Sequence, residues 1–302
     1  MKVLVLMSTY NGELYLGEQI DSILTQKGVD VDLLVRDDGS EDKTCDILET
    51  YSKKYKNIKW VSSNNIGFVR SFSELLKMAG TIEYDYYAFS DQDDVWMPEK
   101  LQTACNSLLS YDNSLPLLFS SNSIYVDENL NKLGFFHQEE PYRTKENVMI
   151  YPTEQGCSMV FNMRAVELYN KRPPSIAWHD RWMCLICTYF GETIYSQLPL
   201  FYYRIHSKNA LGENNNSFWK RITGKFLLLW NGQIGNFCMT EEFFMAYGSE
   251  LDEKYIRFFN IYLNYRKSFK FMYNLIKLDE FQHSLSWWDR YKKTIMVILG
   301  KL

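Results

Sequence analysis

Tyr84-Asp85-Tyr86-Tyr87-Ala88-Phe89-Ser90-Asp91-Gln92-Asp93-Asp94 decides how this chain is read. The first half is short and aromatic-rich, as expected of a β-strand. The second half sets three carboxylates within four residues. Like charges that close shift one another's pKa unless a cation or hydrogen-bond donors stand among them. Asp91 and Asp93 are two apart, so in extended backbone both side chains leave the same side. Two carboxylates on one side of a strand end make a hard oxygen site. It suits Mg²⁺ or Mn²⁺, with phosphate oxygens filling the remaining positions. Taken alone, the same residues also fit an acidic loop capping a helix that starts near Pro98. A motif this short has a high false-positive rate, and the surrounding chain has to arbitrate.

Working outward towards the N-terminus, Lys2 to Met7 is a continuous apolar run, the pattern of a strand buried on both faces of a parallel sheet. It ends in the turn cluster Ser8-Thr9-Tyr10-Asn11-Gly12, after which Leu14, Leu16, Ile20, Ile23 and Leu24 recur at roughly helical spacing. Val31 to Arg36 is a second strand and Asp37-Asp38-Gly39-Ser40 a second turn. Ser40-Glu41-Asp42-Lys43 opens another helix with N-capping chemistry. Ile58 to Ser62 is a third strand, Asn64-Asn65-Ile66-Gly67 a third turn, and Phe68 to Met78 a helix leading into the fourth strand. Strand and helix alternating four times predict an α/β fold: a Rossmann-like, doubly wound, mostly parallel sheet. Right-handed crossovers put the strand C-terminal ends on one edge, where ligands bind in a crevice. Thr9, Tyr10, Asn11, Asp37, Asp38, Asp91 and Asp93 are therefore predicted to meet. No GxGxxG follows the first strand and no GxxxxGK[ST] is present, which counts against a dinucleotide site and a P-loop.

Towards the C-terminus the pattern changes. Leu117 to Asn122, Ile124 to Val126, Ile194 to Ser196 and Phe201 to His206 read as strands. Asp127-Glu128-Asn129 is a turn. Arg164 to Tyr169 is a short helix ended by Pro173-Pro174, and Ala177 to Asp180 opens a second that runs to about Tyr189. From about Ser217 the chain reads as helices: Phe226 to Trp230, Tyr255 to Leu278 and Ser286 to Leu299. The expected domains are 1–210, a binding and catalytic domain, and 217–302, a helical extension.

The formal net charge of −4 gives no case for nucleic acid. Charge is unevenly spread: residues 251–302 hold ten Lys/Arg against five Asp/Glu. Aromatics reach 16%, enough for exposed aromatic surface besides the core. A basic, aromatic tail suits a membrane surface or a partner. The six cysteines form no framework. Cys184-x-x-Cys187 lacks the second pair a zinc site needs, so reduced core thiols are expected, consistent with cytoplasm. Lys2 goes straight into a strand, so no signal peptide is expected. No apolar run approaches the roughly 20 residues that span a bilayer.

In order along the chain, Ser8-Thr9-Tyr10-Asn11-Gly12, Arg36-Asp37-Asp38-Gly39-Ser40, Asn65-Ile66-Gly67, Ser90-Asp91-Gln92-Asp93-Asp94-Val95-Trp96, Trp178-His179-Asp180 and Tyr203-Arg204-Ile205-His206 resemble glycosyltransferase family 2. These are inverting enzymes of the GT-A fold that use nucleotide sugars. The likeness is greatest to the bacterial rhamnosyltransferase branch, which builds cell-wall, capsule and O-antigen polysaccharide. It covers about residues 1–210.

The resemblance implies roles. Thr9, Tyr10 and Asn11 would lie at the base, with the Tyr10 ring able to stack on a pyrimidine. Asp38 would bind ribose or base and Asp37 the base N–H, or Asp37 would simply cap its turn. Asn65, Arg70, Asp91, Gln92 and Arg204 would face the nucleotide, the diphosphate or the donor sugar. Asp93, with His206, would hold Mg²⁺ or Mn²⁺. Asp180 would be the general base. Gln155, Gly156, Cys157, Trp178 and His179 would line the acceptor side.

The implied function is transfer of a sugar, best L-rhamnose from dTDP-rhamnose, though a UDP-linked donor fits the same layout. The acceptor would be a sugar hydroxyl on a lipid-linked or oligosaccharide precursor at the inner face of the plasma membrane. A non-catalytic nucleotide-sugar-binding scaffold is the alternative, and a nucleotidyltransferase a third reading that the poor phosphate loop at Ser8 to Gly12 disfavours. For the tail, peripheral membrane contact and homodimer contact both stay open.

Overall fold

The computed structural model describes residues 1–81, 83–141, 143–150, 154–175, 178–206 and 237–277, with Thr294, Val297 and Ile298. The chain divides into two units: Met1–Glu140, Glu154–Pro173 and His179–Asn209 form the first, and Pro141–Thr153, Pro174–Trp178 and Ala210–Leu302 the second.

The first unit is built on β1 (Lys2–Thr9), whose Val3 to Met7 are at most 3% exposed. Sheet neighbours on both edges and helices on both faces leave these side chains no contact with water. Each such burial contributes on the order of 2 kcal/mol. Around β1 run α1 (Leu16–Leu24), β2 (Asp30–Asp37), α2 (Thr44–Lys54), β3 (Ile58–Ser62), α3 (Phe68–Ala79) and β4 (Tyr86–Ser90). The strands stand in the order β3-β2-β1-β4, all parallel. Then come β5 (Val95–Trp96), α4 (Lys100–Leu108), β6 (Leu117–Val126), β7 (Lys132–Phe135), β8 (Val160–Phe161), α6 (Met163–Lys171), α7 (His179–Phe190) and β9 (Glu192–Arg204). The α5 helix (Lys145–Ile150) belongs to the second unit. Past β4 the sheet continues β8-β6-β9-β5, antiparallel at β8 and β5 and parallel between β6 and β9, while β7 pairs with β6. The sheet is mixed but mostly parallel, as the alternation of elements predicts.

Three local readings differ. The α2 helix starts at Thr44 rather than Ser40. The capping groups ahead of it are spent on loops instead: the Ser40 hydroxyl bonds Asp37, and Asp42 accepts from the Glu13 and Thr44 amides. Each C-terminal pair of expected strands is one longer strand. In β6 a register shift at Asn122, opposite Pro199 of β9, breaks the alternation that marks a strand in sequence. β5 is only two residues long, too short to leave a periodic signal.

In the second unit, α8 (residues 237–247), α9 (Glu253–Asn264) and α10 (Phe269–Ile276) pack aromatic side chains together. Phe243, Tyr247, Phe259, Tyr262 and Tyr265 are fully buried. The helix expected from Tyr255 to Leu278 is two helices, because the Ser268 hydroxyl accepts from the Lys270 amide and caps a new start. The helix expected at Phe226 to Trp230 and the stretch Trp287 to Lys293 lie outside the described residues. Among the described residues no helix is long and apolar enough to cross a membrane.

Candidate active site

The C-terminal ends of β1, β2 and β4 converge as their parallel order requires. The Asp38 amide donates to the Thr9 carbonyl at 2.8 Å. Gln92 pairs with the Tyr10 backbone in both directions, accepting at 2.8 Å and donating at 3.0 Å. Asn11, in left-handed backbone with φ 48°, gives its amide to the Ser40 hydroxyl and receives the Glu41 amide on its side chain. Tyr10 is left with a half-exposed ring at this edge.

Asp37 and Asp38 lie beside that ring but are spent on protein. Asp37, fully buried, accepts from the Thr9 and Ser40 hydroxyls and from the Gly39 and Ser40 amides. Asp38 pairs with Arg36 and accepts the Ile66 and Gly67 amides at 2.9 and 2.8 Å. A buried carboxylate without such donors would be strongly unfavourable. Both therefore help build the loop walls, which for Asp37 includes the turn-capping role of the sequence reading. Asn65 and Arg70 are exposed next to them, with the Asn65 side chain accepting the Gly67 amide.

On the carboxylate loop, Asp93 Oδ2 lies 2.8 Å from His206 Nε2, with side chains only 16% and 8% exposed. The His206 ring lies 4.9 Å from that of Tyr15, and the Arg204 guanidinium covers the Tyr15 ring at 4.5 Å. Arg204 is held by several protein partners. It is 2% exposed, and its guanidinium donates to the Asp93 carbonyl at 2.9 Å, the Glu128 carbonyl at 2.7 Å and the Glu18 carboxylate. It pins the carboxylate loop through the Asp93 carbonyl.

Deeper in, Asp91, Asp94 and the Cys157 thiol lie within 4.8 Å of one another. Asp94 is fully buried, with the Cys157 thiol as its side-chain neighbour. Burial, then the charges of Asp93 and Asp180, push Asp91 up to about 7. Burial with the Asp93 and Asp91 charges raises Asp94 as well, and burial raises the Cys157 thiol. Cys157 sits in a short 3₁₀ turn, Gly156–Ser158, and its thiol belongs to this cluster. Gln155 holds the turn by accepting the Ser123 hydroxyl at 2.7 Å.

Asp180, in the first turn of α7, faces the same turn. A β-carbon built on Gly156 would stand 3.1 Å from Asp180 Oδ2. Because the charge of Asp180 also acts on Asp91, the α7 start and the carboxylate loop are within electrostatic reach of each other. His179 is stacked on Phe72 at 4.0 Å and edge-on to Phe89 at 4.9 Å. Burial lowers its pKa to about 4, so the ring is neutral. Trp178 belongs to the second unit and is 40% exposed.

The donor set at Asp93 and His206, a carboxylate oxygen and an imidazole nitrogen 2.8 Å apart, fits a divalent ion. The inner cluster fits one less well, since a thiol raised in pKa stays protonated and is a poor ligand for a hard ion. A shallow groove along edge strand β3, lined by Lys59, Trp60, Lys77 and Met78 among others, contains none of these residues.

The sequence reading overlooked Lys100. It is fully buried at the start of α4, its ammonium 3.3 Å from the Trp96 ring centroid and donating to the Cys157 carbonyl. Its signal was present: Lys100 shares a helical face with Leu101, Ala104, Cys105 and Leu108. Glu18 and Tyr15, which grip Arg204, carry no such mark.

Comparison with known proteins agrees with this layout. A dTDP-rhamnosyl transferase of Shigella flexneri, RfbG, is 30% identical over 220 residues, covering 69% of this chain and 74% of that protein. Among solved structures, Staphylococcus aureus TarS 1-349 in complex with UDP-GlcNAc superposes with a TM-score of 0.59 at 16% identity, over 99% of this chain and 82% of that one. A mannosyltransferase from Pyrobaculum calidifontis in complex with GDP-Man and Mn²⁺ gives 0.50 at 12% identity, over 99% and 86%. These two establish the GT-A fold. The profile of glycosyl transferase family 2 matches residues 4–172, more than half of the chain, which therefore belongs to that family.

Proposed function

We propose that this chain is an inverting, metal-dependent hexosyltransferase that moves a sugar from a nucleotide donor to a hydroxyl of a cell-surface polysaccharide precursor. The observation that carries the reading is the approach of Asp180 to the Gly156–Ser158 turn, whose Cys157 thiol lies within 4.8 Å of Asp91 and Asp94. The open Tyr10 ring suits stacking on a base. Exposed Asn65 and Arg70 suit the diphosphate. Asp93 and His206 would hold Mg²⁺ or Mn²⁺, which when bound supplies positive charge for the leaving diphosphate. Asp180 takes the proton of the acceptor hydroxyl as that oxygen bonds to the anomeric carbon, opposite the departing diphosphate. One such displacement gives one inversion. His179, neutral and stacked, fixes the start of α7, while Gly156 leaves room beside Asp180 for the acceptor.

Likeness to the Shigella dTDP-rhamnosyl transferase favours L-rhamnose from dTDP-rhamnose. The basic, aromatic end of the second unit favours contact with anionic lipid at the cytoplasmic leaflet: Phe269 on α10 is 87% exposed, next to exposed Lys267 and Lys270.

A thermal-shift screen of nucleotide diphosphates and nucleotide sugars with Mn²⁺, followed by donor hydrolysis, tests the central reading. Metal-dependent stabilisation by one nucleotide, with slow release of its diphosphate form, is expected. Tight binding with no hydrolysis and no transfer to any glycan would return the non-catalytic scaffold.

A further inference from the structure

We propose that Lys100 is a positioning residue: its ammonium serves as the built-in cation of the inner Asp91–Asp94–Cys157 cluster and ties the carboxylate loop to the turn facing Asp180. The inference rests on the transferase reading for its link to turnover, though not for its link to metal binding.

Lys100 is 0% exposed, an uncommon state for a lysine without a specific use. Its ammonium is bounded by the Trp96 ring at 3.3 Å and the Phe201 ring at 4.8 Å, and it gives a hydrogen bond to the Cys157 carbonyl. Trp96 and Phe201 are themselves paired partners across β5 and β9, so the ammonium is held by elements on both sides of the carboxylate loop. Desolvating an ammonium costs several kcal/mol, and aromatic faces recover only part of it. The remainder has to come from negative charge. The cluster supplies part of it: burial lowers the Lys100 pKa to about 7, while the charges of Cys157, Asp94 and Asp91 act against that fall. No carboxylate contacts the ammonium directly among the described ion pairs, so it balances the cluster through space while its one hydrogen bond fixes the backbone of the 156–158 turn. That turn touches Asp180 through Gly156. A single side chain thus sets the charge of the donor side and the position of the acceptor side. In this arrangement Asp94 and Asp91 need no second divalent ion, and Asp93 with His206 remain as the exchangeable site.

The two parts of this role predict opposite responses. Replacing Lys100 by Gln removes a positive charge near the carboxylates, so Mn²⁺ binding to the protein without donor, read by electron paramagnetic resonance, should tighten by at least about threefold. The same variant lets the 156–158 turn drift from Asp180, so turnover at saturating donor and acceptor should fall at least about thirtyfold. A packing role alone would weaken both together. Unchanged or weaker Mn²⁺ binding in Lys100→Gln, or unchanged turnover, overturns the proposal. So does a wild-type titration showing two Mn²⁺ per chain, one lost in Asp94→Asn. Lys100→Met makes the same charge change without a donor; should it fail to fold, the glutamine variant and the wild-type stoichiometry still decide. The Mn²⁺ readouts stand even where no sugar transfer is found, which separates failure of this inference from failure of the transferase reading.

Discussion

Gly156 lies so close to Asp180 that a β-carbon on it would stand 3.0 Å from the aspartate's Cβ, inside the 3.5–4.0 Å of an ordinary carbon contact. In Gly156→Ala either the turn or Asp180 must shift by a few tenths of an ångström. A fall in kcat of about tenfold is expected with little change in melting temperature, since misplacement near reacting atoms is costly to rate. Steady-state transfer assays beside thermal melts check it.

Asp180→Asn keeps shape and burial but cannot accept a proton. Turnover should drop by at least about two decades, the usual worth of a general base, with nucleotide affinity retained. Calorimetric nucleotide binding alongside a transfer assay measures both. Normal turnover in this variant would remove Asp180 from the role.

Asp93→Ala takes away the carboxylate that faces His206 at 2.8 Å. Metal-dependent binding of the nucleotide diphosphate should be lost and donor hydrolysis with it, while the melting temperature without metal holds or rises as a crowded negative charge is removed. A thermal-shift series with and without Mn²⁺ reads the effect. A full Mn²⁺ response in the variant would place the ion elsewhere.

Arg204→Ala should act on stability first. Removing the guanidinium strands two buried carbonyls and the partly buried Glu18 carboxylate, a loss of about 3 kcal/mol. Urea unfolding measures it, and Mn²⁺ affinity should weaken as the Asp93 backbone loses its support.

His179 makes stability depend on acid. Its folded pKa of about 4 lies below the ordinary value of 6.5, so between those limits the unfolded chain binds more protons. The stabilisation is present above pH 6.5 and is lost as pH falls towards 4, by an amount on the order of 3 kcal/mol. His179→Phe, which keeps the stack on Phe72, should flatten the fall in stability between pH 6.5 and 4.5. Parallel slopes for the two proteins would show that His179 titrates as it would in water.

The apolar run of β1 and the turn residues after each strand were enough to foretell a mostly parallel sheet. Those features act locally, through backbone preference and the alternation of buried faces, so they are written in consecutive residues. What each charged side chain does depended on partners far along the chain. Arg204 is fixed by the Glu18 carboxylate and the Glu128 carbonyl, and Asp37 and Asp38 by amides and hydroxyls of neighbouring loops. The helical spacing of α4 puts Lys100 on an apolar face, but only the tertiary arrangement, by closing Trp96, Phe201 and the Cys157 turn around it, made it an internal charge. Periodicity records which face is buried, whereas the electrostatics of a buried group is set by whatever the fold brings within a few ångströms of it.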